Sequence, residues 1–170
     1  MPRILVFLLA ILVLPGCATL PARVEQTAYP KDYWYAYVDW SRGFTVDAPG
    51  RFAIRPEDDA GFEPLDARVY TLDRGTLRFS VIAVQRRRND DRGAYEVAEA
   101  NGFDLQDWDE MPGDLPAFQR HVYLDGKLYR QRIVFTRRMV YELLVSGPAD
   151  VFPDYAARRF FDSFTVMTRT

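Results

Sequence analysis

Arg68–Val84, RVYTLDRGTLRFSVIAV, decides the fold. Asp73-Arg74-Gly75 places turn chemistry between two runs rich in β-branched and aromatic residues, so the stretch reads as a hairpin with arms Ala67–Leu72 and Thr76–Gln85. In the second arm Leu77, Phe79, Val81 and Ala83 recur with period two on one face, while Ile82 and Val84 occupy only the distal part of the other. The pattern predicts a strand covered on one side along its length and on both sides at its far end.

Outward toward the C-terminus a three-stranded meander follows: Ala117–Leu124, a turn at Asp125-Gly126, Leu128–Thr136, a tight turn at Arg137-Arg138, and Met139–Ser146. Alternation assigns inner faces to Phe118, Val122 and Leu124, to Ile133 and Phe135, and to Tyr141, Leu143 and Val145. Toward the N-terminus, Phe44–Asp47 is a short strand stopped by Pro49-Gly50. Two segments depart from period two. Ala94–Asn101 is rich in helix formers and is followed by Gly102, and Pro153–Ser163 repeats Phe152, Ala156, Phe160 and Phe164 at fourfold spacing, with Asp150 and Asp154 near its positive start. The class is α+β: a central antiparallel sheet flanked by helices.

Three stretches carry a resemblance: FTVDAPGRF (44–52), the RVYTLDRGTLRFSVIAV hairpin, and the finish MVYELLVSGPADVFPDYAARRFFDSFTV (139–166). Over residues 43–167 the chain resembles PsbP-like proteins, small exported domains built as an α/β/α sandwich. The resemblance implies that fold. It implies no catalytic set, since such proteins include assembly factors and uncharacterised lipoproteins.

The N-terminus, MPRILVFLLAILVLPGC (1–17), has one basic residue, Arg3, then the apolar run Ile4–Leu14, then Pro15-Gly16 before Cys17. A helix needs roughly 20 apolar residues to cross a bilayer, so eleven read as the core of a signal peptide. A lone thiol directly after a small residue at the end of such a run resembles the acceptor cysteine of bacterial lipoproteins. Residues 1–16 then form the signal peptide, and 17–42 the lipidated Cys17 and a tether with an aromatic lead-in. Acyl burial at about 0.8 kcal/mol per CH₂ makes two or more chains a stable membrane anchor. Ala18, rather than Asp, favours the outer membrane facing the periplasm in that resemblance. With no second cysteine there is no disulfide, and one core must stabilise the domain.

The chain carries a formal charge of −2, and this mild acidity argues against nucleic acid as a partner class, since neutralising phosphates needs a clustered net positive face. The segment YPKDYWYAYVDW (29–40) offers Tyr33, Trp34, Tyr35, Tyr37 and Trp40 as a candidate binding surface, because such rings join an apolar body to a polar tip. Its alternation reads first as an edge strand or a lead-in segment wrapping the domain. Arg86, Arg87 and Arg88 form the densest basic cluster and could clasp anionic lipid or glycan groups. His121 is the single histidine, no GxSxG elbow is present, and no metal or cofactor is expected from the ligand types available. Acidic side chains gather at Glu57, Asp58 and Asp59 and again in DLQDWDEMPGD (104–114), without EF-hand spacing. The expectation is a membrane-anchored envelope lipoprotein that is no enzyme, a binding or assembly module for an envelope protein or glycan. The alternative is a carboxylate-dependent cell-envelope hydrolase working through the 104–114 acids.

Overall fold

The computed structural model describes residues 33–56, 66–87, 92–100 and 102–167. Cys17 and the rest of the signal and tether, Glu57, Asp58, Asp59 and Arg88 lie outside the described residues.

Seven strands make the large sheet: β3 (Ala53–Pro56), β4 (Ala67–Arg74), β5 (Leu77–Gln85), β6 (Asp109–Met111), β7 (Ala117–Leu124), β8 (Lys127–Phe135) and β9 (Met139–Pro148). Their order is β3-β4-β5-β9-β8-β7-β6, antiparallel throughout. The predicted hairpin is β4–β5, with Arg74 opposite Leu77 across Gly75 at φ 59°. Asp125-Gly126, both at positive φ (50° and 71°), closes β7–β8 with a two-residue loop whose twist matches the strands. Helix α1 (Ala94–Ala100) and helix α2 (Asp154–Asp162) fall where their periodicity places them.

A second sheet, β1 (Tyr35–Asp39), β2 (Phe44–Ala48) and β10 (Thr165–Val166), is ordered β1-β2-β10. β2 was legible as its own strand, and the edge-strand reading of the aromatic segment holds for β1. The boundary drawn at residue 43 falls inside the β1–β2 hairpin, where Tyr35–Asp39 pairs with Phe44–Ala48 residue by residue.

The large sheet is covered on both faces. On one, α2 and the small sheet bury Phe79, Val81, Ala83, Tyr141, Leu143 and Val145 together with Phe44, Val46 and Phe160. Phe160 meets Phe79 edge-on at 5.4 Å. On the other face α1 covers Phe118, Ile133, Phe135 and Val140 with Val97, Ala98 and Trp108. This corrects the face assignment in the meander. Tyr141 pairs with Val134 and Val140 with Phe135, so the Ile133–Phe135 set and the Tyr141–Val145 set lie on opposite faces. Leu124 is also corrected: at the last position of β7, beside the turn, it is 56% exposed.

The end of the chain finishes the architecture. Pro153 precedes α2, Asp154 occupies its first turn, and Ala156, Ala157, Phe160 and Phe161 face the core. Ser163 closes the helix, and its hydroxyl accepts from the Asp47 N–H at 2.8 Å, fastening α2 to β2.

Candidate functional site

Sequence proximity puts Asp39, Ser41 and Arg42 in the β1–β2 turn, and the fold brings Tyr70 of β4 and Tyr141 of β9 to them. The Asp39 carboxylate accepts from the Ser41 N–H (2.8 Å), the Ser41 hydroxyl (2.6 Å), the Arg42 N–H (2.9 Å) and the Tyr70 hydroxyl (2.7 Å). Tyr141 donates to the Arg42 carbonyl at 2.6 Å. The Arg42 guanidinium donates to the Asp66 carbonyl at 2.9 Å and pairs with the Asp66 carboxylate. Burial pushes the Asp39 carboxyl up, and the four hydrogen bonds more than reverse this, leaving it below the ordinary carboxylate value. Burial first, and then Asp39, push the Tyr70 hydroxyl well above its ordinary value, and burial lifts Tyr141 to about 12. The cluster resembles a catalytic constellation in composition, but each of these groups is engaged in locking the turn onto the large sheet.

The aromatic candidates divide. Tyr37 is packed among Phe44, Phe52 and Tyr70, at 6.0, 5.2 and 5.8 Å. Trp34 stands edge-on to Phe79 at 6.0 Å and lies under the Arg159 guanidinium at 4.9 Å, which itself bonds Asp47. Tyr33, Tyr35 and Trp40 face solvent. Arg86 belongs elsewhere: it donates to the Thr136 and Arg92 carbonyls, both at 2.8 Å, tying the end of β5 to the β8–β9 turn and to the approach of α1. Arg87 beside it is exposed. Among the described residues the aromatic and basic candidates therefore form no common site.

The acids of 104–114 are spread along an exposed edge. Asp104 caps a short 3-10 turn by accepting from the Gln106 N–H at 3.0 Å, and Asp107, Asp109, Glu110 and Asp114 point outward. Among the described residues no three His, Cys, Asp or Glu side chains converge to hold an ion.

A groove that no local motif announces lies between the β6–β7 end of the large sheet and the segment that leads from α2 into β10. β8 contributes Arg130 and Arg132, and cross-strand pairing sets His121 beside Arg130 and Gln119 beside Arg132. Arg130 reaches Asp154 at 2.6 Å and lies over Phe152, while Arg132 donates to the Phe161 carbonyl at 2.9 Å and lies over the Phe161 ring. Burial lowers the His121 pKa, the Arg130 charge lowers it further, and Asp109 and Asp154 pull the other way. At one end of the groove is a cavity of about 150 Å³ between Met111, Pro112, Leu115 and Ala117 on one wall and Val134, Phe164 and Val166 on the other, with Arg132 its one charged lining residue. That is about half the smallest volume usual for a metabolite pocket, and suits a single side chain.

No family model matches the chain, and no curated protein sequence matches it. Solved structures do. The solution structure of cyanobacterial PsbP (CyanoP) from Synechocystis sp. PCC 6803 superposes with a TM-score of 0.53 at 15% identity, covering 79% of this chain and 92% of that one. A crystal structure from Bacteroides thetaiotaomicron VPI-5482 aligns with a TM-score of 0.49 at 11% identity over 81% of this chain, which spans half the length of that protein. The fold is that of a PsbP-like domain: α+β, with a large antiparallel sheet and two helices.

Proposed function

We propose that the protein is an envelope lipoprotein, acylated on Cys17, that acts as a non-catalytic binding or assembly module, with the groove between β6–β7 and residues 164–166 as its contact for a partner. The observation that carries the reading is the state of its polar groups. Asp39, Arg42, Tyr70 and Tyr141 are fastened to one another, and Arg86, Arg130 and Arg132 to fixed neighbours, whereas the cavity that Arg132 borders is apolar and open. The chemistry it suits is a protein segment presenting one apolar side chain next to an acceptor or a carboxylate, the first for the cavity and the second for the guanidinium.

The test uses the full-length protein in its membrane. Mass spectrometry of the membrane-extracted protein should show a chain that begins at an acylated Cys17, and Ala117→Trp, which fills the cavity, should abolish cross-linking to partner proteins while far-ultraviolet circular dichroism stays unchanged. A chain cut elsewhere, or one with an unmodified thiol at Cys17, would overturn the anchor. An Ala117→Trp protein that folds and keeps its cross-links would overturn the groove.

A further inference from the structure

We propose that the open edge of β1 and its leading residues form a membrane-contact surface, with Tyr33 and Tyr35 from one side of the strand and Val38 and Trp40 from the other flanking that edge in the headgroup layer of the bilayer that holds Cys17. The proposal rests on the reading of Cys17 as the anchor. Its geometric basis is the division of the aromatic segment: Trp34 and Tyr37 serve the core, whereas Tyr33, Tyr35, Val38 and Trp40 are 62%, 55%, 40% and 74% exposed. β1 is also the edge of the small sheet, paired on one side only among the described residues.

Two features select a bilayer as the occupant. The first is composition. The four exposed residues are three amphipathic rings and one valine, none charged, and Tyr and Trp are the side chains that partition to the boundary between headgroups and acyl chains. A surface meant to enter the hydrocarbon would carry larger aliphatic groups. The second is attachment. Residues 18–32 separate Cys17 from Tyr33, so the tether spans at most about 50 Å and enters the folded body at this patch. A tether of that contour length keeps the patch at about millimolar effective concentration near the surface. A contact too weak to bind a free protein is then sufficient to orient a tethered one. Seated this way, the domain has one end fixed against lipid and its orientation above the bilayer set.

Trp40 supplies the readout. The full-length acylated protein is reconstituted into vesicles of phosphatidylethanolamine and phosphatidylglycerol, with and without bromine near the headgroup end of the acyl chains, and compared with a Trp40→Phe variant. Bromolipid should remove about a third of the emission, the share of one tryptophan in three, and should remove little from Trp40→Phe. Iodide should quench Trp40 less in vesicles than in the detergent-free Cys17→Ser protein. Unchanged iodide access with no bromolipid quenching overturns the proposal. So does protection from iodide without bromolipid quenching, which would mean that a protein, such as a second copy pairing along the β1 edge, covers Trp40 instead. Mass spectrometry of the same sample keeps the two readings apart. A cysteine without its acyl chains overturns the anchor, whereas an acylated protein with unquenched Trp40 overturns the contact surface alone.

Discussion

Asp39→Ala should be among the most damaging single substitutions in the domain, although it removes a carboxylate near the surface turn and leaves no large cavity. The carboxylate satisfies four donors. Two of them belong to Ser41, which is only part-buried, so water can replace the lost acceptor there. The other two, the Tyr70 hydroxyl and the Arg42 N–H, make buried contacts, and Tyr70 is fully buried. Each buried donor left unpaired costs about 1–3 kcal/mol, so the substitution should cost about 3 kcal/mol, a large part of the roughly 5–15 kcal/mol that holds a domain of this size. Urea denaturation should show a lower midpoint at an unchanged slope, and melting should fall by about 10 °C. Because the Tyr70 hydroxyl is orphaned only when Asp39 is absent, Tyr70→Phe should cost less in the Asp39→Ala background than in the native one, by about 1 kcal/mol or more. The pH dependence has a definite sign. The Asp39 carboxyl titrates below its unfolded value, so its stabilisation is fully present above about pH 4 and is lost as pH falls through the folded value. Asp39→Asn should therefore flatten the acid limb of the stability profile. A loss under about 0.5 kcal/mol for Asp39→Ala, or strict additivity with Tyr70→Phe, would refute the argument that this network is the clamp between the sheets.

Gly147→Ala in β9 should destabilise by about 1–3 kcal/mol in urea, since its methyl would lie 2.4 Å from the Leu77 Cδ2 and 3.2 Å from the Thr76 carbonyl oxygen, and Leu77 is too tightly packed to move freely. If the clash is the cause, part of the loss should vanish in a Leu77→Ala background. His121 should titrate below its ordinary value in an NMR experiment, and Arg130→Gln should raise the midpoint by removing the second of the two lowering influences. Because the neutral imidazole is the form the fold prefers, the His121 contribution to stability is present above the unfolded pKa and fades as pH drops through the folded one.

Most strands were legible because period two needs only local residues. Ala117–Leu124 falls on β7 without adjustment, and the Asp-Gly turn fixed the β7–β8 pairing. The relative phase of β8 and β9 was not legible. Ile133, Val134 and Phe135 are all buried, as are Met139, Val140 and Tyr141, so no polar alternation marks which member of each run faces which layer. The turn settles it: Thr136 donates its N–H to the Met139 carbonyl at 2.9 Å and its hydroxyl accepts from the Met139 N–H at 2.8 Å, which sets Phe135 against Val140. β3, β6 and β10 escaped notice because strands of four, three and two residues carry too few alternations to be told from loop.

The candidate sites were less legible for a related reason. Equal spacing of Tyr33, Tyr35 and Tyr37 suggests one face with one fate, yet Tyr37 is core and the two before it are exposed. Alternation states which side a residue occupies and not how far the opposing layer extends beneath it. The groove is harder still, since its walls come from residues 111–117, 132–134 and 164–166, joined only when β10 closes on β2. The Tyr141–Arg42 bond, between residues 99 apart, belongs to the same order of information. A local reading can therefore find a hairpin and a helix stripe, each written in consecutive residues. Surfaces assembled by the meeting of two sheets have no local signature, and in a domain whose buried polar groups largely hold those sheets together, such surfaces are where a binding function would have to lie.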